Sequence, residues 1–220
     1  MIDWQAIDTV LLDMDGTLLD LHFDNHFWQE HVPVRYAEKH GLPLTRAHQL
    51  LSDTYRAKAG TLDWYCVDYW TRELQLDIVR LKEEVAHLIA VHPDVPRFLD
   101  ALRTAGKGAA LVTNAHRKSL SLKMARTGLQ VHFDLLVTSH EVGLPKEDAA
   151  FWPALRATVP YDPARTLLID DSLPVLRAAR AAGIAHLLAV CRPDSRQPDK
   201  DVGEFAALRH FVDILPGLAT

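Results

Sequence analysis

Cysteine is scarce in this chain: among its 220 residues the two thiols, Cys66 and Cys191, stand alone, and no CxxC spacing surrounds either. Isolated thiols of this kind read as reduced cysteines of a cytoplasmic protein. Long apolar runs are missing too. None approaches the ~20 residues that a bilayer-crossing helix needs, and the opening MIDWQAID has neither the basic region nor the apolar segment of a signal peptide. Positive charge is not in excess. With 24 Lys and Arg against 29 Asp and Glu, the net charge is −5 and no dense basic stripe occurs, so a nucleic-acid partner is not expected. The twelve histidines fall at no ligand spacing, and there is no internal repeat or low-complexity segment. What remains is 48% apolar and 24% charged residues, the composition of a soluble globular protein. The length suits one good-sized domain, or one domain carrying an insertion.

Residues 9–18, TVLLDMDGTL, organise the rest. Val10, Leu11 and Leu12 after the β-branched Thr9 predict a short buried strand of a parallel sheet. The run then stops on Asp13, Asp15, Gly16 and Thr17. An Asp-Gly pair alone is usually an ordinary turn. Two carboxylates at i and i+2 directly behind a buried strand are unusual, because carboxylates are rarely buried unless paired or bound to metal. The carboxyl ends of strands are where open α/β sheets place their chemistry.

From 23 to 91 no strand is predicted. Helices are expected around Asn25 to Lys39, interrupted by Pro33, from a Thr45 cap to Gly60, from Thr61 or Asp63 through Leu74, and over 77–90 behind an Asp77 cap. From Asp94 the pattern alternates. Helices are expected at 95–105, 118–127, 147–158 and 173–182, and strands at 109–112, 133–138, 166–169 and 185–190; a loop and an amphipathic helix from Glu204 to Leu215 close the chain. Repeated β-α units predict an α/β fold, a Rossmann-like, mainly parallel sheet with helices on both faces. The expected division is a core of 1–21 and 92–220 and an all-helical insertion of 22–91.

Polar residues collect at the strand ends: Asp13 and Asp15, then Thr113 and Asn114, then Lys146 in a loop, then Asp170, Asp171 and Ser172. Singly each has a bland explanation, since Thr-Asn and Asp-Asp-Ser are common helix caps and a loop lysine is usually solvated. On one rim they would gather several carboxylates, an ammonium and a hydroxyl. Crowded carboxylates call for a cation, and oxygen-only ligation suits magnesium. Anion, magnesium and a free carboxylate together point to phosphoryl transfer.

DMDGT, LVTNA, the lysine of GLPKED, and LLIDDS resemble the four ordered motifs of haloacid dehalogenase-like hydrolases, over residues 9 to 190, and the helical insertion resembles that superfamily's C1-type cap. More narrowly, FDNHFW, TLDWYCVDYW and GLPKEDAAFW are similar to stretches of bacterial GMP/IMP 5′-nucleotidases. The resemblance implies Asp13 as nucleophile forming a phospho-aspartate, and Asp15 as general acid then base, its backbone carbonyl on the metal. It further implies Thr113 and the Asn114 N–H as phosphate holders and Lys146 as the cation on nucleophile and phosphate. Asp13 and Asp171 would ligate Mg²⁺, with Asp170 behind them. An acid at Asp15 suits an alkoxide leaving group and excludes the halide chemistry of the namesake enzymes.

The insertion holds Phe23, Phe27, Trp28, Tyr36, Tyr55, Trp64, Tyr65, Tyr69 and Trp70, nine of seventeen aromatics. Most are expected to pack against each other, but a purine needs a stacking face, worth ~1–3 kcal/mol per base in nucleic-acid systems. Trp64 is the first choice; Trp70, six residues on, would point elsewhere on one continuous helix. Asp24 and Asn25 either meet the base or ribose or cap a helix, and His116 is expected at the surface. The leading expectation is a magnesium-dependent phosphatase of a small phosphate ester, a purine nucleoside monophosphate, with no membrane and no obligate protein partner. Phosphatases of sugar phosphates or phosphoglycolate, a phosphomutase, and a non-catalytic binding protein are the alternatives.

Overall fold

The computed structural model describes residues 2–215. Six strands form one sheet: β1 (Thr9–Leu12), β2 (Gly108–Thr113), β3 (Leu135–Thr138), β4 (Thr166–Asp170), β5 (His186–Val190) and β6 (Ala206–Leu208). Their order is β3-β2-β1-β4-β5-β6 and every pairing is parallel. The fold is therefore the expected Rossmann-like α/β class, and the strand order turns back at β1, where ligands of such sheets bind. Leu12 is level with Leu111 and with Ile169, so β1, β2 and β4 end within two residues of one another.

Period-two alternation decides which residues fill which layer. Val10 and Leu12 join Leu111 and Ile169 in one core cluster, and Leu11 joins Val112 and Leu168 in the other. The first cluster is covered by α7 (Val95–Thr104) and α8 (Arg117–Thr127), through Phe98, Leu102 and Leu120. The second is covered by α10 (Phe151–Leu155) and α11 (Leu173–Ala181), through Trp152, Leu155 and Leu176. The remaining core helix, α9 (Ser139–Val142), is a single turn closed by a capping box of Thr138 and Glu141.

Residues 22–91 add no strand to this sheet. They carry α1 (His22–His26), α2 (Val32–His40), α3 (Leu44–Arg56), α4 (Leu62–Tyr65), α5 (Val67–Leu74) and α6 (Ile78–Glu84), which enclose a separate apolar cluster around Phe27, Leu51 and Trp70. The chain enters and leaves this stretch side by side, with Asp20 N–H donating to Ala90 O at 2.9 Å and His92 N–H to Leu18 O at 2.9 Å. No helix among the described residues is long and apolar enough to cross a membrane.

Several boundaries differ from expectation for identifiable reasons. Pro33 does not interrupt its helix: a π-turn at Phe27–His31 joins α1 to α2, and Pro33 falls in the first turn of α2, where no N–H is required. Helix α3 starts at Leu44, with Arg46 and Ala47 N–H groups bonding Pro43 O, so Thr45 is no cap. Helix α6 ends at Glu84 and a 3₁₀ turn, Ala86–Leu88, follows. The helix expected over 147–158 shrinks to Phe151–Leu155 because Pro153 is tolerated only in a first turn. The helix expected over 204–215 does not form. Ala206–Leu208 instead pairs with the open edge of β5, satisfying backbone groups a helix would have left exposed there, and a 3₁₀ turn at Phe211–Ile214 follows.

Candidate active site

Because β1, β2 and β4 end within two residues of one another, the residues at and just beyond their ends share one rim. Asp13 N–H continues the ladder to Ile169 O at 3.1 Å and leaves the carboxylate at the sheet's end. Lys146 arrives from the loop after α9 and is held on both sides: its N–H donates to Asn114 Oδ1 at 2.9 Å, and Trp152 Nε1 donates to its carbonyl at 3.1 Å. Its side chain is 2% exposed, and the ammonium donates to Asp13 Oδ1 at 2.6 Å, Asp170 Oδ2 at 2.7 Å and Val112 O at 3.0 Å. Burial opposes the charge on Lys146, yet the two carboxylates hold its pKa above the ordinary lysine value.

Carboxylate oxygens of Asp13, Asp170 and Asp171 lie within 4.8 Å of one another. Burial, with repulsion from Asp170, pushes Asp13 up to about 6 against the pull of Lys146. Asp171 is likewise pushed to about 6 by burial and by Asp13, against Lys200, whose ammonium donates to Asp171 Oδ2 at 3.1 Å. Asp170 is raised by burial and Asp171; its oxygens are taken by Lys146 and by Ser172 N–H at 2.8 Å. Raised carboxylates gathered so closely, all oxygen donors and short of cations, fit a hard divalent ion. Gly16 belongs to the same construction. It has φ +83°, and a Cβ there would stand 2.9 Å from the Asp171 carboxylate carbon, so the turn after Asp15 can lie on Asp171 only as glycine.

Thr113 is buried at the end of β2, its Oγ1 accepting from Ala115 N–H at 3.0 Å, which leaves its own hydrogen for an anion. The Asn114 side chain is occupied: besides Lys146 it donates to Glu147 Oε2 at 2.9 Å. Glu147 also accepts from the hydroxyl of Tyr65, so the helical stretch is bonded to the loop that carries Lys146. Sequence reasoning missed both Glu147 and Tyr65.

It also missed two buried lysines. Lys123 donates to Asp15 Oδ1 at 2.6 Å and to Asp24 Oδ2 at 2.5 Å, and Lys82 donates to Asp24 Oδ1 at 3.0 Å. Asp24 thus neither caps a helix nor faces the cavity as a free acceptor. Despite burial, the two ammoniums hold it down at about 2, while burial, opposed by Lys123 and reinforced by Asp24, raises Asp15 to about 6. A signal existed: Ile78, Leu81, Lys82 and Val85, like Leu120, Lys123 and Met124, put each lysine on the apolar face of its helix.

A cavity of about 440 Å³ opens between this rim and the helical stretch. Asp13, Asp15, Thr113, Asn114, Lys146, Asp170 and Asp171 all line it, and so does Trp64. Two expectations need correction. Trp70 lines it as well, because the chain breaks at Cys66 between α4 and α5; the two indoles stand at 82°, 6.1 Å apart, and Trp70 Nε1 donates to Trp64 O at 2.8 Å. His116 is not at the surface but in the cavity wall, where burial keeps its pKa below the usual imidazole range.

Comparison with known proteins returns the same architecture. Residues 7–183 match the haloacid dehalogenase-like hydrolase family. The chain is 42% identical over 217 residues to the GMP/IMP nucleotidase YrfG of Escherichia coli K12, covering 99% of this chain and 98% of that one. It is 30% identical over 207 residues to a phosphoglycolate phosphatase of Nitrosospira multiformis, covering 90% and 88%. Among solved structures, a phosphatase from Thermococcus onnurineus superposes with a TM-score of 0.79 at 22% identity, covering 94% and 96%.

Proposed function

The chain belongs to the haloacid dehalogenase-like hydrolase family, and from that premise we propose that it hydrolyses purine nucleoside monophosphates, GMP and IMP, through a phospho-aspartate on Asp13. The observation that carries the reading is a buried Asp13–Lys146 pair at 2.6 Å, opening into a cavity whose far wall is tryptophan and tyrosine. Its volume falls within the ~300–1,000 Å³ of small-molecule sites. A phosphoglycolate has no ring to set against such a wall, and a sugar ring offers it less area than a purine.

Asp13 attacks phosphorus while the phosphate oxygens rest against Thr113 and the N–H groups that follow Asp13 and Thr113. Lys146 offsets the repulsion between a carboxylate and a phosphate dianion, a stabilisation that grows as charge moves onto the transferring group. Asp15 gives its proton to the departing 5′ oxygen; the P–O bond breaks and its electron pair stays on that oxygen. Asp15 then takes a proton from the water that cleaves the phospho-aspartate. Asp13, the Asp15 carbonyl and Asp171 would hold Mg²⁺, with Asp170 supporting them through Lys146 and Ser172. When bound, the ion supplies positive charge to the phosphoryl oxygens. Residues 22–91 act as the cap that closes over the substrate, and Trp64 stacks on the base.

Steady-state rates on GMP, IMP, AMP, pyrimidine nucleotides, phosphoglycolate and sugar phosphates test the reading. GMP and IMP should lead. Donors aimed at the 6-oxo edge would leave AMP with an unpaired buried group and a penalty of about 1–3 kcal/mol. Equal rates on AMP, GMP and a sugar phosphate would defeat it.

A further inference from the structure

Lys123 stands on the core helix α8, but the groups it holds come from two other places. Asp15 lies in the turn after β1, and Asp24 lies in α1 of the helical stretch. At 1% exposure an ammonium persists only if carboxylates replace its water, and here it has two, at 2.6 and 2.5 Å. Lys82 closes the row at Asp24, which makes an alternating set of two cations and two anions. The Phe23 ring centroid lies 5.1 Å from the Lys123 ammonium and 5.0 Å from that of Lys82, so one aromatic ring shields both. The hydrogen bond recorded for the Asp15 carboxylate among the described residues is the one to Lys123, and it takes Oδ1. Asp15 still lines the cavity, with about a fifth of its side chain exposed.

We propose that Lys123 is the positioning residue for the acid–base carboxylate: by tying down Asp15 Oδ1 it presents Oδ2 to the leaving oxygen, and Asp24, itself anchored by Lys82, keeps Lys123 in place. The inference rests on Asp15 acting as the acid. It makes the helical stretch part of the proton-transfer geometry, because Lys123 is fixed only while Asp24 is against it. The chemistry is unchanged: the proton on Oδ2 moves to the departing oxygen as the P–O bond breaks.

First-turnover rapid-quench measurements with Mg²⁺ test this on two substrates. Nucleoside release from GMP needs a proton; nitrophenolate release from p-nitrophenyl phosphate needs none. Lys123→Met should lower the ratio of the first rate to the second by roughly 10-fold or more, part of the ~10²–10⁴ that a general acid supplies. Lys123→Gln, which keeps a donor toward Asp15, should fall between Met and wild type. Equal losses on both substrates, or none, would overturn the inference and make Lys123 a packing residue. Should Lys123→Met fail to fold, Lys123→Gln and Asp24→Asn carry the same comparison, each with a smaller drop in the ratio expected and an unchanged ratio counting against it. Asp15→Asn is the reference. A flat ratio in that variant removes the acid role itself, whereas a collapsed ratio there with a flat one for the Lys123 variants removes only the positioning.

Discussion

The floor of the cavity and its far wall are made in different ways. On the floor, carboxylates and one ammonium meet at 2.6–2.7 Å, each delivered by the end of a parallel strand or the loop behind it. In the wall, Trp28, Tyr55, Trp64 and Trp70 meet edge to face with centroids 5.1–6.1 Å apart, delivered by helical segments that no sheet register aligns. The floor is fixed by hydrogen bonds and charge, which tolerate little displacement. The wall is fixed by area and ring contacts, which tolerate more. The difference assigns the tasks: the floor suits a step common to every phosphate ester, and the wall suits the choice among them.

That division breaks if floor variants are selective, or wall variants are not. The largest effect is expected for Asp13→Asn, which removes the nucleophile and should lower kcat at least ~10³-fold on GMP and on p-nitrophenyl phosphate alike. Lys146 keeps its bond to Asp170 in this variant, so the thermal midpoint should survive. Retained turnover would move the nucleophile elsewhere. Chelation comes next. EDTA should abolish phosphate release from both substrates, and Mg²⁺ should restore it.

The ion should also leave a mark on stability. Asp13, Asp15 and Asp171 are raised to about 6, so without metal the folded chain holds protons that the unfolded chain has lost above its ordinary carboxylate range. Stability contributed by these groups is therefore present at low pH and lost as pH rises from about 4 through about 6. A cation reverses the sign at Asp13 and Asp171 by taking the protons' place. Added Mg²⁺ should raise Tm by on the order of 5 °C at pH 7.5 and by much less at pH 5. A shift independent of pH would place the ion away from these carboxylates.

The same contrast explains how much could be read from the sequence. Asp13, Thr113, Lys146, Asp170 and Asp171 each follow an apolar run directly or by a short loop, and parallel register brings such ends together without further information. The wall was legible only as composition. Trp64 and Trp70 looked incompatible because a continuous helix was assumed, and the break lies at Cys66, whose Sγ accepts from Tyr69 N–H at 3.3 Å in place of a more usual cap. The ion row was invisible for another reason. Asp15 and Asp24 lie 108 and 99 residues from Lys123, and the pairing with Asp24 depends on how the helical stretch sits on the core. The final helix was misread because an amphipathic pattern carries no notice that β5 has an open edge beside it.

Trp64→Ala tests the wall itself. Loss of a stacking ring should cost about 1–3 kcal/mol, or roughly 5- to 150-fold in kcat/KM for GMP and IMP. The small aryl ester should be nearly indifferent. Equal losses on both would reduce Trp64 to a packing residue whose removal loosens Tyr55 and Trp70.

Tyr65→Phe is expected to have the smallest effect and is the most informative about where floor and wall join. The Tyr65 hydroxyl donates to Glu147, Glu147 accepts from Asn114, and Asn114 accepts from the N–H of Lys146, so one row of bonds runs from α4 to the catalytic loop. Glu147 is only half-buried. Water can therefore replace the lost hydroxyl, and the cost should sit at the low end of the ~1.5–3 kcal/mol of a charged hydrogen bond. If the row serves to hold the helical stretch closed, its loss reduces the population of the closed form and raises KM for GMP by roughly 3- to 10-fold, with kcat within about twofold. If the row instead holds Lys146 against Asp13, kcat falls on every substrate while KM stays. Asn114 already fixes that loop from the core side and Trp152 from beneath it. Outside the row, Trp152 holds the Lys146 carbonyl and Asp13, Asp170 and Val112 O hold its ammonium, so Lys146 is insensitive to Tyr65 and the rise in KM is the expected result.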